Sequence, residues 1–262
     1  MKFPEFIIAG FGRAGTSALL LNLGQHPDIQ IALGSGTEIR FWTNPLPFIE
    51  KNLDVYKERF NGGVCGEKTP GYILRPHILK TIHEYIPNVK IILCLRNPVD
   101  RALSHFELHR RWGRVPKDEE FDFNKHRLVI NDGVYINYIR TCLLPSIPKE
   151  NVYFHIMEWA KKDFVGSISK VYKFLEVEPY STDIEHNILS SQKNTEQAYM
   201  SLFKNNSNYY IWSQKYHKEV SEKEKNKMYK YFKPWNQKLF DFLGYEIRDW
   251  SKRSLTNVQY ES

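Results

Sequence analysis

Four short stretches of this chain carry side chains suited to phosphate-type chemistry. In Gly10-Phe11-Gly12-Arg13-Ala14-Gly15-Thr16-Ser17-Ala18, glycines, one cation and two adjacent hydroxyls lie between the apolar run Phe6 to Ala9 and the helix-forming Leu19-Leu20-Leu21. A strand, a glycine-rich turn and a helix N-terminus aim backbone N–H groups and the positive end of a helix dipole at one point, which binds an anion. In Gly34-Ser35-Gly36-Thr37-Glu38, the carboxylate of Glu38 follows the apolar run Ile29 to Leu33. It therefore lies just beyond a strand's carboxyl end, where open α/β sheets place their ligands. In Val64-Cys65-Gly66-Glu67-Lys68-Thr69-Pro70, Lys68 points a flexible cation towards the same mouth. Arg96 closes the run Val89 to Leu95, with Ser104 near the start of the next helix, and a guanidinium fork with a hydroxyl can converge on one anion.

Three readings compete for the first stretch. Gly10, Gly12 and Gly15 match the dinucleotide pattern G-x-G-x-x-G, but Gly34-Ser35-Gly36 stands where an acidic residue should hold a ribose. Gly10 and Gly15 have the spacing of the nucleotide-triphosphate loop G-x-x-x-x-G-K-[ST], but Thr16 occupies the lysine position. The cation inside the loop is Arg13, and Arg13 followed by Gly15-Thr16-Ser17 resembles the 5′-phosphosulfate loop of sulfotransferases.

The surrounding chain alternates strand and helix. Strands are predicted at 6–9, 29–33, from Val64, at 89–95 and at 152–156, the fourth being a continuous apolar run of the kind a parallel strand buried on both faces needs. Helices are predicted from Thr16, at 75–86, 98–111, 132–147 and 164–175, with an irregular helical connection at 45–60. Asn97 is the expected N-cap of the third, with Pro98 at its first position. Ser221 with Glu224 reads as a capping box opening a helix to Tyr231, continued by an aromatic segment to Phe242. Pro116 and the Asp-Glu-Glu run make Gly113 to Asn124 a polar loop over the site, and His155 reads as a satisfied core histidine. No repeat or linker divides the chain, so the expectation is an α/β fold: one P-loop-like domain over residues 1–262, with about five parallel strands flanked by helices.

Composition narrows the function. The net charge of +7 calls for an anionic partner, and a basic cleft for a nucleotide accounts for it without nucleic acid, whose binding motifs are missing. No apolar run reaches membrane-spanning length, and Met-Lys-Phe-Pro-Glu-Phe leaves no room for a signal peptide before the first strand. Cys65, Cys94 and Cys142 are odd in number and far apart, as buried free thiols are, which predicts a reducing cytoplasm and no metal site.

Taken together, the stretches resemble the PAPS-dependent sulfotransferases (PAPS is 3′-phosphoadenosine 5′-phosphosulfate), nearest to the heparan sulfate sulfotransferase domains. Gly12 to Leu20 with His26-Pro27 is similar to the family's 5′-phosphosulfate loop and helix, and Glu38-Ile39-Arg40-Phe41-Trp42 to the segment carrying its catalytic glutamate. Glu67-Lys68-Thr69-Pro70-Gly71-Tyr72 resembles its Glu-Lys-Thr-Pro-x-Tyr signature, and Leu95 to His105 its 3′-phosphate motif. Trp235 to Phe240 with Leu243-Gly244 resembles the C-terminal helix. Departures are Arg13, where lysine is common, and Ser213-Gln214-Lys215-Tyr216-His217, a loose counterpart of the family's Lys-Gly-Arg loop. The missing disulfide and membrane anchor suggest a bacterial or viral relative.

The resemblance implies sulfuryl transfer from PAPS, releasing PAP, to a hydroxyl or amine of a small-molecule or saccharide acceptor, without metal. It assigns Glu38 as general base, with Lys68 and Arg13 stabilising charge. Arg13, Ala14, Gly15, Thr16, Ser17 and Ala18 would hold the 5′-phosphosulfate. Arg96, Ser104 and, loosely, Lys215, Tyr216 and His217 would hold the 3′-phosphate. Segments 43–63, 112–130 and 183–212 would select the acceptor. A P-loop-type nucleotide kinase and a non-catalytic PAPS- or polyanion-binding protein remain open at this stage.

Overall fold

The computed structural model describes residues 1–34, 37–180 and 220–250. Numbered along the chain, its strands are β1 (Phe6–Gly10), β2 (Ile29–Ile31), β3 (Val64–Lys68), β4 (Lys90–Leu95) and β5 (Val152–Ile156). The helices are α1 (Thr16–Leu23), α2 (Leu46–Lys51), α3 (Leu53–Lys57), α4 (Pro76–Tyr85), α5 (Pro98–Arg111), α6 (Arg127–Asn131), α7 (Tyr135–Tyr138), α8 (Met157–Lys162), α9 (Phe164–Leu175) and α10 (Glu222–Leu243). They fall into two units: residues 1–95 with the described part of 139–215, and residues 96–138 with the described part of 216–262.

The first unit holds the sheet. All pairings are parallel, in the order β2-β3-β1-β4-β5. Parallel strands covered on both faces must be apolar throughout, and β1 is buried at every position while β4 is exposed only towards Lys90. This is the expected five-stranded α/β architecture. From β1 the chain builds β2 and β3 on one side and β4 and β5 on the other, so the switch point where such sheets bind ligands lies at the end of β1. Register brings the chemistry there: Ile7 pairs with Glu67 and Ile8 with Lys68, and the Thr69 N–H continues to the Ile8 carbonyl at 3.1 Å.

Strand β2 is shorter than predicted, ending at Ile31. The following segment doubles back so closely that a Cβ on Gly34 would lie 2.3 Å from the Glu38 carbonyl oxygen, so the chain leaves the ladder early. His26 closes the turn after α1: its Nδ1 accepts from the Asp28 N–H at 3.0 Å, so Nε2 carries the hydrogen and donates to the Glu178 carbonyl at 2.8 Å. His155 is buried, as predicted, but it is not satisfied there: its Nδ1 meets no hydrogen-bond partner among the described residues, and burial lowers its pKa to about 4. The run 132–147 is not one helix: α7 passes into a π-helical turn, Ile139–Leu143. The wider turn buries Ile139, Cys142 and Leu143. All three cysteines are buried and free.

In the second unit Asn97 caps α5 as predicted, accepting from the Val99 N–H at 3.0 Å, with Pro98 at the first position. Val99, Ala102 and Phe106 of α5 pack with Val129, Ile130, Met228 and Phe232 of α6 and α10 into one apolar cluster. Helix α10 is continuous through Pro234. Its capping box is half formed. Ser221 accepts from the Glu224 N–H at 3.4 Å, while the Glu224 carboxylate accepts from the Phe123 N–H at 2.7 Å instead of turning back to Ser221.

Candidate active site

Within the first unit, β1 delivers the chain into the glycine-rich turn. Gly15 takes φ +87°, a left-handed conformation costly for a residue with a Cβ, and no side chain caps the helix it precedes. In an α-helix the N–H groups of the first residues, here Thr16, Ser17 and Ala18, have no intrahelical acceptor, so together with the helix dipole they can receive an anion. The Ala14 N–H is occupied, closing a turn on the Phe11 carbonyl at 3.2 Å. Arg13 is exposed on the turn at φ 69°.

Lys68 connects this helix start to the segment carrying Glu38. Its ammonium donates to Ser17 Oγ at 3.0 Å and to Thr37 Oγ1 at 2.6 Å, and stands 3.8 Å from Glu38 Oε1. Lysine is almost never this buried, only 2 % exposed, without a specific reason. Burial lowers its pKa from the ordinary 10.5 to about 8, against the Glu38 carboxylate, which raises it. Thr37 and Arg40, on either side of Glu38, take φ 72° and 56°. With Arg13, three of the four non-glycine residues at positive φ among those described lie on these two stretches. Such strain persists where surrounding structure enforces it and clusters at functional sites.

Glu38 is partly exposed and Arg40 pairs with its Oε2 at 2.8 Å. A carboxylate with one oxygen towards Lys68 and the other held by an exposed arginine can accept a proton from an incoming hydroxyl. Behind it, on β3, Glu67 is fully buried and accepts from Tyr56 at 2.9 Å, Thr69 at 2.8 Å and Tyr72 at 3.1 Å.

The structure therefore brings together Ser17, Lys68 and Glu38. Arg96 and Ser104 both belong to the second unit, Arg96 before the α5 N-cap and Ser104 on its second turn, with the Arg96 carbonyl accepting from Tyr135 at 2.8 Å. Their neighbour Arg101 is buried, with its guanidinium donating to the Val129 carbonyl. Lys215, Tyr216 and His217 lie outside the described residues. Sequence reasoning missed Thr37 and Arg40 as parts of the site, and Glu67 as the carboxylate behind it. The available signal was their adjacency to Glu38 and Lys68, since strand ends and tight loops cluster neighbours. Among the described residues no three His, Cys, Asp or Glu side chains group as metal ligands, and no helix is long and apolar enough to cross a membrane.

A family model described as a sulfotransferase domain matches residues 3–251. The chain is 31% identical over 144 residues to the membrane-associated sulfotransferase kil1 of Dictyostelium discoideum, covering 53% of this chain and 30% of that protein. It is 29% identical over 200 residues to human heparan sulfate glucosamine 3-O-sulfotransferase 6, covering 70% of this chain and 55% of that protein. Among solved structures, a sulfotransferase from Alicyclobacillus acidocaldarius aligns with TM-score 0.70 and 21% identity, over 95% of this chain and 99% of its own. A mouse sulfotransferase, SULT7A1, complexed with PAP aligns with TM-score 0.54 and 17% identity, over 92% and 86%. At those identities the structural likeness establishes the fold.

Proposed function

This chain belongs to the family of sulfotransferase domains, and we propose that it transfers the sulfuryl group of PAPS to a hydroxyl or amine of a saccharide, releasing PAP. The observation that carries this reading is the buried Lys68 ammonium, which joins Ser17 at the start of α1 to Thr37 and Glu38. The donors around the turn suit such a nucleotide: uncapped N–H groups at a helix start, two hydroxyls and a buried cation serve a phosphosulfate without a metal. The saccharide acceptor is favoured by the heparan sulfate 3-O-sulfotransferase relatives, and the free cysteines suit a cytoplasmic location.

PAPS, when bound, supplies an activated sulfuryl group on a phosphate leaving group. The N–H groups from Ala14 to Ala18, with the Thr16 and Ser17 hydroxyls, would hold the 5′ end. The Ala14 N–H would have to open its turn bond to the Phe11 carbonyl to take part. Arg96 and Ser104, with Lys215, Tyr216 and His217, are assigned to the 3′-phosphate on the motif alone. Glu38 takes the acceptor's proton, a contribution of about 10²- to 10⁴-fold. Lys68 and Arg13 would compensate charge on the sulfuryl and leaving oxygens.

The test is calorimetry with PAP, against ADP and NAD, without added metal. Binding of PAP alone, lost in Arg96→Ala, is the expected result, and equal binding of ADP would redirect the reading to a kinase. Glu38→Gln should keep PAP affinity and lose at least a hundredfold in turnover. Near-native turnover in that variant would remove Glu38 as the base.

A further inference from the structure

The buried carboxylate of Glu67 touches neither the α1 start nor Glu38, yet the segment following Glu38 hangs on it. Three hydroxyls meet this carboxylate: Tyr56 and Tyr72 at Oε1, and Thr69 at Oε2. Each is also used from the other side. Thr69 Oγ1 accepts from the Arg40 N–H at 3.1 Å, the Tyr72 hydroxyl from the Trp42 N–H at 3.4 Å, and the Tyr56 hydroxyl from the Trp42 indole Nε1 at 3.0 Å. A hydroxyl has one proton to give and lone pairs to receive with. An ionised carboxylate only accepts, so it draws all three protons to itself and turns three lone pairs towards residues 40–42. An amide or a protonated acid in the same place must donate to one of them, and that hydroxyl proton then loses its buried acceptor.

We propose that Glu67 is the positioning residue for the general base: its carboxylate sets the proton direction of three hydroxyls, and these hold the backbone that places Glu38. This rests on the reading of Glu38 as the base. The arrangement explains why an acidic side chain occupies the fully buried end of β3. Burial raises the Glu67 pKa to about 7, opposed by the three hydroxyls and by neighbouring Lys68. The ionisable groups facing it are Tyr56 from α3, Tyr72 from the turn after β3, and Lys68 on its own strand; burial raises both tyrosines further above their usual range. Around neutrality the group that changes charge is therefore Glu67, with Lys68 following near pH 8.

Hydrogen–deuterium exchange of the peptide spanning 37–44 reads the inference without needing an acceptor. In Glu67→Gln its protection should fall about tenfold, equivalent to about 1.4 kcal/mol. Peptides from β1 and β4 should stay protected and PAP affinity should hold. In the wild type, protection of 37–44, corrected for intrinsic exchange, should rise as pH passes upward through about 7, and that rise should be missing in Glu67→Gln. Tyr72→Phe removes a single relay hydroxyl while keeping the carboxylate beside Lys68. It should expose the same peptide even if Glu67→Gln fails to fold. Where turnover is measurable with PAPS and a heparan-type polysaccharide, both variants should lower kcat with little change in the KM for PAPS. Unchanged exchange at 37–44, or loss of protection spread evenly over the sheet, would overturn the positioning role. Failure of the wild type to bind PAP would instead overturn the sulfotransferase reading, leaving the exchange result standing by itself.

Discussion

Replacing Lys68 by methionine tests whether this buried cation serves the ligand or the fold. Methionine matches the stem in length and removes the charge and both hydrogen bonds. The fall in pKa from 10.5 to about 8 corresponds to about 3 kcal/mol against keeping the charged form buried. The bonds to Ser17 and Thr37 offset this, at about 1.5–3 kcal/mol each for a charged donor. The unliganded Lys68→Met protein should therefore lie within about 3 kcal/mol of the wild type. Anion binding should respond quite differently. A charge pair about 4 Å apart at an effective dielectric of about 20 contributes about 4 kcal/mol, roughly a thousandfold in affinity. Thermal unfolding with calorimetry against PAP separates the two effects.

The pH dependence adds a signed check. The native pKa of Lys68 lies below its unfolded value, so between pH about 8 and 10.5 the unfolded chain binds more protons and this group's contribution rises with pH. Below pH 8 the penalty is present in full. The wild type should therefore gain stability relative to Lys68→Met across that window. A variant strongly destabilised at every pH, with PAP affinity intact, would refute the reasoning and make Lys68 a structural residue.

Two further substitutions probe the frame. Gly15→Ala puts a Cβ on a residue at φ +87°, which should cost about 1–2 kcal/mol in thermal unfolding and weaken PAP binding, since the turn aims the start of α1. Asn97→Ala removes the acceptor of the Val99 N–H and should cost about 1 kcal/mol, read by denaturant unfolding, if the cap is as observed.

Much of the fold was legible because its determinants are local. The continuous apolar runs of β1 and β4, and the Asn97-Pro98 start of α5, are readable from a few neighbouring residues. Local rules failed where a distant partner intervened. The Glu224 carboxylate found the Phe123 N–H, and the predicted helix 132–147 gave way to a π-helical turn that buries Cys142 beside Leu143.

Motif order alone pointed to an anion loop, a carboxylate and a lysine, because residue types and spacing along the chain are enough for that. Which atoms meet was decided by tertiary structure. Ser17 lies 51 residues from Lys68, and Thr37 lies 31 residues from it. They converge because β3 inserts between β2 and β1, in a register that sets Lys68 level with Ile8. The same insertion buries Glu67 beneath Tyr56, Thr69 and Tyr72, where removal from water gives a carboxylate the power to orient hydroxyls. Strand order and desolvation are properties of the assembled sheet, and no stretch of sequence carries either by itself.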